Sequence, residues 1–134
     1  EGFGVDLVVL QEDRATSVNP TAMRTAAGAA AHLSIVTVTN LSRVLVLLQQ
    51  HGFWVVAADM KGEPLYSFEF FDRSVLVVGS EGGGIRHGVR SRCDACVTVE
   101  TGGKVGSLNV AVAAGIILYR ASQCFAAKRE KKPN

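Results

Sequence analysis

Three short stretches of this chain hold residue types that can do chemistry. Gly79-Ser80-Glu81-Gly82-Gly83-Gly84 sets one carboxylate among glycines. Glycines let a backbone approach a ligand closely and take up positive φ. Glu81, following the apolar run Val75 to Val78, falls where open α/β sheets bind ligands, at the C-terminal end of a strand. The stretch is not a P-loop, because no Lys-Ser/Thr follows, and it lacks Gly-x-Gly-x-x-Gly spacing. Ser107-Leu108-Asn109 opens a long apolar run. Ser107 reads as an N-cap that accepts a backbone N–H. Asn109 then falls just inside a helix, where asparagine is a poor former, and that cost points to a second task. Cys93-Asp94-Ala95-Cys96 has the C-x-x-C spacing of redox and zinc sites. No second such pair and no suitably spaced histidines complete a four-ligand zinc site, so no metal is expected. Cys96 begins the apolar run Cys96-Val97-Thr98-Val99, which favours burial as a small hydrophobe.

The elements that must position these residues alternate along the chain. Val5 to Leu10, Ser34 to Val38, Phe53 to Ala58, Ser74 to Val78 and Cys96 to Val99 read as strands, most of them continuously apolar. Between them, Asn19 and Pro20 open an alanine-rich helix over 21–33. Asn40 or Thr39 caps a helix over Leu41 to Gln50, which Gly52 ends. Asp59 to Asp72, with Gly62 and Pro64, reads as loop with a short helical turn. Arg86 to Arg92 suits a short helix, and Leu108 to about Ala126 is the last one. Continuously apolar strands separated by helices predict an α/β fold, a mostly parallel sheet covered by helices on both faces.

Of 134 residues, 48% are apolar, enough for a full core without staples. The net charge of +2 does not by itself announce a nucleic-acid binder. Lys128-Arg-Glu-Lys-Lys132, beside Pro133, reads as a solvated basic tail over 128–134, which leaves one domain over 1–127. Three cysteines without a disulfide framework suit a reducing compartment. No signal peptide is apparent, and the run Val110 to Tyr119 is short for a bilayer span. The expectation is a soluble cytoplasmic domain with no membrane partner.

In their order and separation, Val75-Leu-Val-Val-Gly-Ser-Glu-Gly-Gly-Gly-Ile85 and Val105-Gly-Ser-Leu-Asn-Val-Ala-Val-Ala-Ala-Gly115 resemble motifs 2 and 3 of the SpoU (TrmH) branch of the SPOUT RNA methyltransferases. Asp13-Arg14-Ala15, Ala27-Gly28-Ala29, Val38-Thr39-Asn40-Leu41 and Gly52-Phe-Trp-Val-Val56 resemble the bacterial rRNA guanosine 2′-O-methyltransferase subgroup. The likeness extends over nearly all of 3–122. It implies a sheet whose C-terminal segment is tucked into a deep trefoil knot, a rare exception to topology rules. It also implies S-adenosyl-L-methionine as methyl donor, held by backbone at Gly79, Val99 and Leu108. Glu81, Ser107 and Asn109 match the polar positions around the methyl donor and ribose. The implied partners are rRNA or tRNA, contacted by Arg14, Arg86 and Arg90, and a second copy of the chain through the C-terminal helix.

The family's motif 1, an Asn followed six residues later by an Arg, has no match here. Asn19 and Arg24 are spaced by five, and counting strands backward from motif 2 puts motif 1 before Glu1. A fragment without that Arg is expected to have little activity. Gly106 and Ala111 depart from the small polar residue and the Ser frequent at those places, which affects local hydrogen bonding only. The competing expectations are an inactive RNA-binding or dimerisation module of the same knotted fold, and an ordinary unknotted nucleotide-binding α/β protein.

Overall fold

The computed structural model describes residues 1–12, 32–80, 82–104, 106 and 108–133. They fall into two compact units, Glu1–Val44 and Leu45–Asn134. In the first, β1 (Leu7–Gln11) and β2 (Ser34–Val38) pair in parallel, from Leu7 opposite Ser34 to Gln11 opposite Val38. Asn40 then caps α1 (Leu41–Gln50), its Oδ1 accepting the Arg43 N–H at 3.0 Å. The helix expected over 21–33 and its cap at Asn19 lie outside the described residues.

The second unit is built on β3 (Trp54–Pro64), with β4 (Ser74–Val77) on one side and β5 (Ala95–Thr98) on the other, all parallel. Among the described residues the named strands pair as two groups, β1 with β2 and β3 with β4 and β5. Val55, Val56 and Ala57 of β3 are completely buried. Successive strand residues face opposite sides of a sheet, so this central strand is covered on both, which is why its sequence is continuously apolar. On one side, Val56 and Val97 join Leu65, Phe68, Phe70 and three residues of α3 (Val110–Lys131): Ile117, Ala121 and Cys124.

Three features differ from the sequence expectation. β3 does not stop at Ala58. Its register with β5 shifts between Ala58 and Glu63, and pairing resumes at Glu63 opposite Val97 and Pro64 opposite Thr98. Gly62 makes this return possible: a Cβ there would meet the Val97 nitrogen at 2.6 Å and the Cys96 carbonyl carbon at 2.7 Å. The expected short helical turn follows, as a 3₁₀ turn over Leu65–Ser67. Second, the basic run is not a tail. α3 continues through Lys131, so a boundary between 127 and 128 falls inside the helix, and Lys128 Nζ donates to the Phe70 carbonyl. Cations in a last helical turn also complement its dipole. Third, the 22-residue α3 is long and apolar enough to cross a bilayer, unlike the shorter run read from sequence. In this structure Ile117, Ala121 and Cys124 pack it against the sheet.

An unexpected polar joint holds the start of β5. Asp94 Oδ2 accepts the Val55 N–H at 2.8 Å and the Gln49 side-chain amide at 3.1 Å, while the Asp94 N–H donates to the Val55 carbonyl at 2.8 Å. The neighbouring Cys93 and Cys96 are free and half-buried. Burial pushes both thiols up from their ordinary value, with nearby Arg90 pulling the other way. A thiol so raised stays protonated at neutral pH, whereas redox attack and zinc binding need the thiolate.

Candidate functional site

Because β3, β4 and β5 run in parallel, their C-terminal ends open on one side of the second unit. Gly79 follows β4, Val99 follows β5, and these two strands flank β3. The chain after Gly79 folds back on itself. Ser80 N–H donates to the Gly84 carbonyl at 3.2 Å, and Gly84 N–H to the Ser80 carbonyl at 3.0 Å. A Cβ on Gly79 would lie 2.6 Å from both the Gly84 oxygen and the Ile85 nitrogen, and closer still to the Gly84 carbonyl carbon. Backbone therefore passes over Gly79 where no side chain fits, and Gly82 and Gly84 take φ of +78° and +63° to make the turn. Gly82, Gly83 and Gly84 are exposed. Such a strand end offers a ligand peptide groups more than side chains.

Val99 is half-buried against the core cluster, and the chain over Glu100 to Lys104 is exposed. Leu108 is half-buried just before α3. Asn109 is the N-cap of that helix: its Oδ1 accepts the Ala111 N–H at 2.8 Å, and its carbonyl accepts from Ala113 at 2.9 Å. This corrects the assignment of the cap to Ser107 with Asn109 inside the helix. At the N-cap asparagine is favoured, so helix propensity is not the argument for a second task. Asn109→Ala is expected to lower stability by about 1 kcal/mol, and Asn109→Ser much less; urea denaturation followed by circular dichroism reads both.

Of the other expected site residues, Glu81, Ser107 and Arg14 lie outside the described residues. Arg86 is exposed at the N-cap of α2 (His87–Arg90). Arg90 is not a loose cation, since its Nε lies 3.7 Å from Asp59 Oδ2. Among the described residues no cluster of His, Cys, Asp or Glu is arranged to hold a metal. Sequence inspection missed Arg120. Its Nη2 donates to the carbonyls of Tyr66 at 3.4 Å and Phe68 at 3.3 Å and lies 3.9 Å from Glu69, which pins the segment after β3 onto α3. The one available signal was a single arginine between the apolar stretch Ile116 to Tyr119 and Ala121.

The sequence profile of the SpoU rRNA methylase family matches residues 1–119. The 23S rRNA (guanosine-2′-O-)-methyltransferase of Ralstonia nicotianae is 42% identical over 122 residues, 90% of this chain and 49% of that protein. The crystal structure of the SpoU methyltransferase AviRb from Streptomyces viridochromogenes, in complex with the cofactor AdoMet, superposes with a TM-score of 0.84 at 25% identity. It covers 94% of this chain and 52% of that one. The TrmH/SpoU tRNA modifying enzyme of A. aeolicus gives a TM-score of 0.84 at 26% identity, covering 96% of this chain and 66% of that one. The chain spans about half the length of the curated relatives it matches.

Proposed function

This chain belongs to the SpoU rRNA methylase family, and from that premise we propose that it is the donor-binding domain of an S-adenosylmethionine-dependent RNA ribose 2′-O-methyltransferase. The observation that carries the proposal is the folded-back glycine turn at the end of β4, where backbone crowds Gly79 and leaves peptide groups open to a ligand. A relative of the same fold has been solved with this donor, and the curated relative from Ralstonia nicotianae is named for guanosine 2′-O-methylation of 23S rRNA.

The donor supplies a methyl group already activated on a sulfonium, so the chemistry requires no metal. What remains for the chain is placement, together with help for the weakly acidic 2′-hydroxyl. Gly79, Val99 and Leu108 would hold the donor through their peptide groups. Glu81, Ser107 and Asn109 would orient donor and ribose, with Asn109 fixed by its place at the start of α3. Fixed dipoles at that helix start favour charge developing on the ribose oxygen. The backbone turns carrying these groups belong, in this proposal, to a deep trefoil knot. Arg14, Arg86 and Arg90 are the proposed RNA contacts, Arg90 by exchanging its Asp59 pairing for a phosphate. Looped or single-stranded RNA is the proposed target, because its riboses can be presented outside a helix.

Homodimerisation is proposed through α3, whose exposed Val112, Ile116 and Tyr119 recur at helical spacing. A cytoplasmic location accords with bacterial relatives named for acting on ribosomal RNA. Isothermal titration of the chain with S-adenosylmethionine is expected to show saturable binding at one site per chain. No binding by protein shown to be folded would overturn the proposal.

A further inference from the structure

At the opposite ends of the same strands, the second unit gathers aromatic rings and cations on one ledge. The ring of Trp54, the first residue of β3, lies 5.0 Å from that of Phe71. The Arg73 guanidinium sits 4.5 Å from the centre of the Phe53 ring, and the Lys128 amine 5.6 Å from that of Phe71. The Trp54 backbone N–H donates to the Arg73 carbonyl at 2.8 Å, which joins the two pairs. Lys132, past the end of α3, lies 3.7 Å from Asp72. The rings are not buried: Trp54 is 38% and Phe71 52% exposed. Three cations, Arg73, Lys128 and Lys132, thus stand by these rings and Asp72.

We infer that this ledge is a second RNA contact, taking a single-stranded segment of the RNA outside the donor site. Single strands are bound where exposed rings stack on bases and adjacent cations neutralise phosphates. An acidic polypeptide would satisfy the cations but leave the ring faces unused. From Arg73 to Gly79 the chain extends about 20 Å at ~3.3 Å per residue, so RNA on the ledge does not compete with the donor. The identity of the nucleic acid rests on the RNA methyltransferase proposal; the ledge itself rests on its own contacts. It also gives the basic run at the end of α3 a role that a solvated tail would not have.

Trp54 is the only tryptophan in the chain, so its emission reports the ledge directly. Titration with a short single-stranded polyadenylate is expected to quench that emission saturably. Single-strand affinity falls with salt with a slope of about −0.7 per phosphate contact. On that basis the double variant K128A/K132A should bind ~25-fold more weakly at about 0.1 M salt. Lys128→Ala also removes a hydrogen bond to Phe70, so Lys132→Gln alone, at a side chain 77% exposed, provides the milder variant. It should bind about fivefold more weakly. Absence of saturable quenching, or quenching unaltered by both variants, overturns the inference. So does equal quenching by polyglutamate, which would make the ledge a site for acidic polypeptides. Calorimetry with S-adenosylmethionine on the same sample reads the donor site separately. Quenching without donor binding keeps the ledge and sinks the methyltransferase proposal; donor binding without quenching does the reverse.

Discussion

A Gly79→Ala protein is expected to lose about 3 kcal/mol of stability and, with it, measurable binding of S-adenosylmethionine. The added methyl would fall 2.6 Å from the Gly84 oxygen and the Ile85 nitrogen. Overpacking commonly costs ~1–3 kcal/mol because side chains rotate aside. Here the obstacles are backbone atoms, held by the paired hydrogen bonds between Ser80 and Gly84, and they have no rotamer to change. The turn must open to admit the methyl, and opening displaces the peptide groups proposed to face the donor. Gly83→Ala is the matched control. Its Cβ would meet only the Ser80 hydroxyl, at 3.1 Å, and that group can turn away. The control should stay within about 1 kcal/mol of the parent. Urea denaturation and donor calorimetry on both variants decide the matter, and a Gly79→Ala protein that binds donor normally at parental stability would refute the close-approach account.

Phe70→Ala should cost about 3–5 kcal/mol, the usual range for deleting a buried ring. Phe70 is 2% exposed and stands edge-to-face with Phe68 at 4.9 Å, within the cluster that joins β3 and β5 to α3. Its loss removes apolar burial and leaves a cavity whose walls are strands and helix, which collapse poorly. Phe71→Ala, one residue on, should cost about 1 kcal/mol or less, since that ring is 52% exposed. Equal losses from the two substitutions would contradict this assignment of core and surface.

That contrast shows what could be read from the sequence and what could not. The strands over Ser34–Val38 and near Val55 to Ala57 were legible because long apolar or β-branched runs have few other solutions. A cap at Asn40 or Thr39, which the structure resolves to Asn40, and the stop at Gly52 were legible because their chemistry is local. Phe70 and Phe71 were not separable, because their opposite fates depend on α3, which lies far along the chain. Gly62 and Pro64 looked like strand breakers, and only the close approach of Val97 shows why the strand rejoins its neighbour there. Asp94 and Arg120 escaped notice for a related reason: each satisfies backbone groups of another segment, which no local spacing reveals. In the candidate site, Gly79 and Asn109 were singled out by residue type and order. The N-cap was then misplaced by two residues, because serine and asparagine are both good caps and both stood before the apolar run.

The burial of Cys124 has a kinetic consequence. Its thiol is 5% exposed, inside the cluster under α3, while Cys93 and Cys96 are only half-buried. An alkylating reagent reaches the latter two through small local openings, but reaches Cys124 only when the helix lifts from the sheet. Labelling should therefore run in separate phases, and the slow one times that lifting. Since α3 follows its cap at Asn109, a proposed site residue, and carries Lys128 over the Phe71 ring of the ledge, one natural thiol acts as a clock for how long that helix stays fastened to the strands.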